Sequence, residues 1–210
     1  LYEKIFNTVS KAVEEGSPAK KKIFVWAQKV GFKYNMAKAQ GRSIGPIVAL
    51  QYKLAFKLVF SKLHEKLGGH IEFGVSGGAA LPKSIGEFFF SAGIPIVEGY
   101  GLTETSPVLS ISPFHQPRYG AVGHIIPGVT VGIQHLDDGR MLGEILGDTY
   151  PNDLTTEAGE IVAKGPNIMK GYWNKPEATK ESIDPEGWYH TGDVGRFDNG
   201  FLVITDRIKH

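Results

Sequence analysis

Apolar residues recur along this chain in three rhythms, and each rhythm marks a stretch with its own architecture. Over residues 1–67 the spacing is helical. Leu1–Glu15 reads as one helix closed by Gly16-Ser17-Pro18, where Ser17 suits an N-cap and Pro18 the first position of the next helix. Gly41 and Gly45-Pro46 interrupt again, and a last helix runs to Leu67 and stops at Gly68-Gly69. Leu54, Leu58, Val59, Leu63 and Leu67 place one apolar stripe along it.

Between residues 70 and 104 the rhythm changes. Ile71, Phe73 and Val75 alternate as in a strand, Pro82 opens a helix that ends at Gly93, and Ile94–Val97 reads as a second strand. Strand, helix and strand at this spacing make a βαβ unit, with parallel strands and a right-handed crossover. From Pro117 onward, short strands alternate with turns. Val129–Ile133 leads to Asp137-Asp138-Gly139, Glu160–Ala163 to Gly165-Pro166, and Val194–Phe197 to Asp198-Asn199-Gly200 before Phe201–Ile204. Asn199-Gly200 is a hairpin signal, because both central residues of that turn need positive φ. The predicted fold is α/β. A helical segment (1–69) precedes a parallel βαβ unit of a larger layered sheet (70–116), and a small antiparallel barrel or sandwich follows (117–205), the barrel being the form expected.

Composition narrows the picture. No run of about 18 apolar residues occurs, so no membrane-spanning helix is expected. Cysteine is absent, which excludes disulfides, thiolate metal sites and cysteine nucleophiles and fits a reducing compartment. Gly makes up 27 of 210 residues without a repeating period, so it serves turns and close backbone approaches. Charge is divided: residues 1–70 carry a net +9 and residues 71–210 a net −8. A basic lobe ahead of an acidic one is what Lys-lined helix faces produce, and also what an anionic partner would seek.

In an open parallel sheet, ligands bind beyond the carboxyl ends of the strands. Two Gly-rich loops fall there, GVSGGAALP (74–82) and EGYGLTETSP (98–107). Gly77 and Gly78 let a flat or anionic ligand approach the backbone, and Tyr100 offers an aromatic face on which a base could stack. Thr103 brings a hydroxyl and Glu104 a carboxylate, a pairing suited to phosphate with Mg²⁺. Other motifs compete. Gly74-Val75-Ser76-Gly77-Gly78 matches G-x-S-x-G, the serine-hydrolase elbow, but Pro82 starts the helix six residues after Ser76 where an elbow needs it at once. Gly99-Tyr100-Gly101 lacks the third glycine of a dinucleotide fingerprint, no Walker-type loop occurs, and the seven histidines show no ligand spacing.

Three long motifs then carry a resemblance. EGYGLTETSP (98–107), GEIVAKGPNIMKGYWNKPEAT (159–179) and EGWYHTGDVGRFDNGFLVITDRIKH (186–210) resemble core motifs of the acyl-adenylate-forming, AMP-binding enzymes. The last is similar to the fatty acyl-CoA synthetase pattern, and the basic helical segment resembles the long-chain branch. The resemblance implies an AMP-forming long-chain fatty acid–CoA ligase that uses ATP, Mg²⁺ and coenzyme A. It implies that Gly78 and Ala79 line the adenine and acyl pocket, and that Glu98, Gly99 and Tyr100 form the adenine loop. Thr103 would meet phosphate, and Glu104 would hold Mg²⁺, these two being the catalytic pair. Asp193 would hold the ribose hydroxyls, Arg207 would add a ribose and phosphate contact, and Lys209 would be the hinge within residues 206–210 to a further domain. The family's phosphate loop and its C-terminal catalytic Lys have no counterpart here, so the chain alone is expected to be inactive. Expected partners are a fatty acid, ATP and CoA, without nucleic acid. A cytoplasmic location is expected, with peripheral membrane contact through Lys20-Lys21-Lys22 and with self-association. Another adenylating ligase (for an aryl, amino or medium-chain acid) or a serine hydrolase using Ser76 remains as an alternative.

Overall fold

The computed structural model describes residues 1–149 and 153–208. The chain forms two compact units, one of Leu1–Ser76, Leu81–Val97 and Phe114–Tyr119, the other of Gly77–Ala80, Glu98–Pro113 and Gly120–His210.

The first unit is helical. It holds α1 (Tyr2–Glu14), α2 (Pro18–Ala39), α3 (Pro46–Ala55), a π-helical turn (Phe56–Phe60), α4 (Ser61–Lys66) and α5 (Lys83–Ser91). Ser17 caps α2 as expected, its hydroxyl accepting from the Lys20 amide at 3.3 Å. Helices α2 and α5 approach closely at Gly31, where a Cβ would lie 2.2 Å from the Ser91 carbonyl oxygen. The carbonyls that end α5 find side-chain donors: Asn35 Nδ2 donates to Phe90 and Ser91, and His64 Nε2 lies 2.7 Å from the Ala92 oxygen. Phe60, Ile85, Phe88, Phe89 and Ile96 form the core. The expected leucine stripe is split by the structure. Leu63 is buried, but Leu54 and Leu58 are half exposed, because the aromatic face of Tyr52, Phe56 and Phe60 turns inward instead. Likewise Phe24 and Trp26 pack on the core, whereas Ile23 and Val25 face outward.

Strand β1 is only Gly74–Ser76, so Ile71 and Phe73 stand outside it, and β2 spans Ile96–Tyr100. With β3 (Ser110–Ile111) and β4 (His124–Ile125) they form a sheet of order β1-β2-β3-β4. Adjacent strands joined through α5 match the expected βαβ connection, but β3 and β4 pair antiparallel. The hydrophobic pattern predicts a second strand over Ile94–Val97. The ladder continues it to Tyr100, with Gly99 opposite Ile111 and Tyr100 opposite Ser110.

The second unit is built on β5 (Thr130–Gln134), β6 (Met141–Leu146), β7 (Gly159–Lys164), β8 (Tyr189–Asp198) and β9 (Phe201–Arg207), antiparallel in the order β6-β5-β7-β8-β9. A short helix, α6 (Pro176–Ser182), precedes β8. The expected barrel is not closed. The outer side of β9 is met by the 121–123 segment, where the Leu202 amide donates to the Gly123 carbonyl and the Leu202 carbonyl accepts the Val122 amide, and not by β6. Strand β8 alternates buried and wetter positions, as a sheet with one packed face requires. Asn199 and Gly200 turn β8 into β9 with φ of 49° and 76°, the predicted hairpin. Leu109, Val131, Ile133, Ile161, Phe197 and Leu202 fill this core.

Candidate functional site

The sequence-predicted residues of the second unit fall into two side-chain clusters. The first centres on Asp193. Tyr100, at the end of β2, donates its hydroxyl to Asp193 Oδ2 at 2.8 Å. Arg207 stands opposite Asp193 in the β8–β9 ladder with Nε 3.8 Å from Oδ1. The Arg207 side chain is 76% exposed, so this pair is worth less than about 1 kcal/mol and leaves the guanidinium available to a ligand. Asp193 itself is largely covered, its side chain 15% exposed.

Tyr100 departs from expectation. Its ring is 8% exposed and packs in the core with Leu109 and Val131, so it is a strand residue and not a loop ring. Burial, reinforced by the Asp193 charge and opposed by Thr191, drives its hydroxyl pKa well above the usual phenol value.

Asp193 is presented by a bulge. Along β7 and β8, Glu160 faces Val194 and Val162 faces His190. Ile161 alone therefore opposes Thr191, Gly192 and Asp193, and Gly192 has a φ of 71° that favours glycine. Thr191 Oγ1 donates to the Ile161 carbonyl at 2.7 Å and accepts the Asp193 amide at 3.1 Å. Glu160 Oε1 accepts the Gly192 amide at 3.2 Å, while its Oε2 lies 2.9 Å from His190 Nδ1.

The second cluster centres on Glu104, in the 3₁₀ turn Thr103–Thr105. Tyr172 donates its hydroxyl to Glu104 Oε1 at 2.8 Å, and the Met169 amide donates to the Glu104 carbonyl. That hydrogen bond, with burial and the Glu104 charge, raises the Tyr172 pKa. Tyr189 is buried, and burial followed by the Glu104 charge raises its pKa as well. The turn is pinned by Asn167, whose Nδ2 donates to the Thr105 and Val108 carbonyls at 2.9 Å each. Gly101 is required there, since a Cβ would lie 1.9 Å from the Pro107 carbonyl.

The remaining candidates are placed as follows. Thr103 is exposed, with its hydroxyl free of described hydrogen bonds. Gly78 (φ 78°) and Ala79 are exposed, and Gly77 passes close to the Gly99 carbonyl, at 3.3 Å from a would-be Cβ. Glu98 is buried at 4%, and Gly99 lies in the β2–β3 ladder. Lys209 lies outside the described residues. Ser76 ends β1, and α5 starts only at Lys83, without the immediate strand-to-helix turn of a nucleophile elbow. Glu160, Thr191 and Tyr172 lie within the three motifs, but their roles are not legible there: Glu160 and Tyr172 reach partners 32 and 68 residues away, and Thr191 caps a bulge that only the β7–β8 register reveals.

Among the described residues, no group of three or more His, Asp or Glu is arranged to hold a metal, and no helix is long and apolar enough to cross a membrane. Glu104 Oε2 carries no described hydrogen bond, which suits a hard cation that takes one protein carboxylate and completes its shell with phosphate and water.

The AMP-binding enzyme family matches residues 16–173. A human long-chain-fatty-acid–CoA ligase, ACSBG2, is 38% identical over 100% of this chain and 29% of its own length. The putative fatty-acid–CoA ligase fadD11 of Mycobacterium tuberculosis is 36% identical over 96% of the chain and 31% of its own. The chain thus spans about three tenths of the length of these relatives. Among solved structures, apo MatB from Rhodopseudomonas palustris aligns with a TM-score of 0.59 at 32% identity, over 74% of this chain and 30% of that one. A long-chain-fatty-acid–CoA ligase (FadD1) from Archaeoglobus fulgidus aligns with a TM-score of 0.56 at 26% identity, over 74% and 33%.

Proposed function

Because the chain belongs to the AMP-binding enzyme family, we propose that it is the part of an AMP-forming long-chain fatty acid–CoA ligase that holds the nucleotide. The observation that carries this reading is the Tyr100–Asp193–Arg207 cluster, a largely covered carboxylate beside an available guanidinium on two paired strands. A carboxylate is the acceptor that vicinal ribose hydroxyls need, and a guanidinium suits the adjoining phosphate.

In the proposed reaction the fatty acid carboxylate attacks the α-phosphate of ATP and pyrophosphate leaves. The sulfur of CoA then attacks the acyl carbon, loses its proton, and AMP departs. Within this chain, Asp193 and Arg207 orient the nucleotide, Tyr100 holds the Asp193 carboxylate, and Thr103 offers a donor to phosphate. Gly78 and Ala79 are assigned to the walls of the adenine and acyl pocket, and Glu98 and Gly99 to adenine binding. Glu104 would hold Mg²⁺, which supplies positive charge to the phosphates when bound. Long-chain specificity draws on the relatives' names and on the apolar character of their substrates, against aryl, amino or shorter acids. Two finer readings go with it: contact with anionic membranes through Lys20, Lys21 and Lys22, and self-association through the exposed Ile47, Leu50, Leu54 and Leu58 of the α3 region. Equal sedimentation with neutral and anionic vesicles would dispose of the first, and a monomer at all concentrations the second.

The central test is acyl-hydroxamate trapping by the whole protein that contains this chain, with palmitate, octanoate and benzoate compared. Palmitate-dependent trapping with AMP release is expected. ATP-independent hydrolysis of acyl esters, with labelling of Ser76 by a fluorophosphonate, would replace this reading with the hydrolase.

A further inference from the structure

The bulge that carries Asp193 is an energetic puzzle, because it takes backbone donors out of the β7–β8 ladder. Three residues of β8 face Ile161 alone, so the Gly192 and Asp193 amides fall outside the backbone ladder with β7. A buried or half-buried amide left unpaired is costly, and a bulge survives only where something else accepts those donors. Two side chains do. Thr191 Oγ1 accepts the Asp193 amide, and Glu160 Oε1 accepts the Gly192 amide. Glu160 is the more demanding of the two, since its carboxylate is only 18% exposed and is fixed from its other oxygen by His190 Nδ1 at 2.9 Å. His190 is itself steadied on its far side, where Nε2 lies 3.7 Å from Asp184 Oδ2. Asp184 in turn accepts the Trp188 amide at 2.8 Å, tying the cluster to the start of β8.

We propose that Glu160 is a positioning residue: by accepting the Gly192 amide while held by His190, it keeps the 191–193 bulge open and aims the Asp193 carboxylate at the vicinal hydroxyls of a nucleotide ribose. This rests on the ribose role given above to Asp193. Glu160 touches no ligand. Its effect on binding is confined to the part of the ligand that Asp193 reads, and that confinement separates positioning from general support of the fold.

The experiment compares affinities of the chain for AMP and for 2′,3′-dideoxy-AMP by calorimetry, in the unaltered protein and in Glu160→Ala, Glu160→Gln and Asp193→Ala. A hydrogen bond to a charged group is worth roughly 1.5–3 kcal/mol, so the unaltered chain should prefer AMP by about tenfold or more. Asp193→Ala should reduce the preference to near one. Glu160→Ala should do the same while leaving affinity for the dideoxy nucleotide within about twofold. Glu160→Gln, which keeps an acceptor for the Gly192 amide, should restore most of the preference. Hydrogen exchange at the Gly192 amide gives a second reading without ligand, protected in the unaltered chain and fast in Glu160→Ala. If Asp193→Ala abolishes the preference and Glu160→Ala retains it, the positioning role is overturned. If the unaltered chain shows no preference, the ribose reading fails instead, and unchanged Gly192 exchange in Glu160→Ala would then overturn the Glu160 proposal separately. Should Glu160→Ala not fold, Glu160→Gln decides by the same two readings: a preference lost while Gly192 stays protected would refute the proposal.

Discussion

Replacing Tyr100 by Ala and by Phe separates two roles that one side chain performs. The ring is 8% exposed and belongs to the core of Leu109, Val131 and Ile133. Truncating a buried aromatic ring to Ala typically costs about 3–5 kcal/mol, a large share of the 5–15 kcal/mol that holds an ordinary domain together. Tyr100→Ala should therefore lower the urea midpoint of the second unit severely, and any loss of nucleotide binding would be inseparable from partial unfolding. Tyr100→Phe keeps the ring and removes only the hydroxyl that donates to Asp193 at 2.8 Å. Hydrogen bonds to charged groups are worth roughly 1.5–3 kcal/mol, and the remaining exposure of Asp193 lets water replace part of this one, so a cost of about 1–2 kcal/mol is expected. The assay is urea unfolding followed by circular dichroism, with midpoints compared at unchanged slope. If Tyr100→Ala costs less than about 1 kcal/mol, the ring is not a core residue and the reasoning fails.

Glu104→Gln retains an acceptor for the Tyr172 hydroxyl, so its stability should stay within about 0.5 kcal/mol. Its calorimetric affinity for ATP should no longer improve when Mg²⁺ is added, and a preserved Mg²⁺ effect would place the ion elsewhere. Gly31→Ala gains roughly 1 kcal/mol of helix propensity but drives a Cβ to 2.2 Å from the Ser91 carbonyl oxygen, a backbone atom that cannot swing away. A fall in thermal midpoint is expected, and a rise would mean that α2 and α5 part without cost. Tyr100, Tyr172 and Tyr189 all have pKa values raised in the folded state, so folding favours the protonated phenols. Their stabilisation is complete below the ordinary tyrosine pKa of about 10 and is lost as pH rises beyond it. Absorbance at 295 nm should then show the buried Tyr100 and Tyr189 ionising only together with unfolding, whereas their titration in a folded chain would contradict their burial.

The sequence is legible where the structure obeys local rules. Ser17 caps α2, and Asn199-Gly200 turns the β8–β9 hairpin with both residues at positive φ. What it leaves hidden depends on partners distant along the chain. Glu98-Gly99-Tyr100 looked like a polar, Gly-rich loop, and it becomes strand because Ser110 and Ile111 supply a ladder for it. The barrel stayed open because a segment near Gly123 takes the outer side of β9, which no periodicity in either stretch announces. The leucine stripe holds only in its second half, at Val59, Leu63 and Leu67, because the helix also has an aromatic face of Tyr52, Phe56 and Phe60 that packs on the core. At the candidate site, Asp193, Arg207 and Glu104 were legible as chemistry, whereas Glu160 and Tyr172 reach their partners across 32 and 68 residues.

The interleaving of the two units has a consequence for the order in which the chain acquires structure during synthesis. Every residue of the first unit has been made once Tyr119 is added, because its last piece is Phe114–Tyr119. The second unit by then owns only Gly77–Ala80 and Glu98–Pro113, and the buried residues from Val122 to Leu202 that complete the core around Tyr100 and Leu109 come later. A ribosome adds about 5–20 residues per second, so the roughly 90 residues up to the end of β9 take on the order of 5–18 s. Through that interval β2 is divided in time, its first two residues engaged and its last three awaiting their core. A nascent chain halted once residue 119 has cleared the ribosome would thus expose Tyr100 and Leu109, and their protection should coincide with emergence of the β8–β9 hairpin.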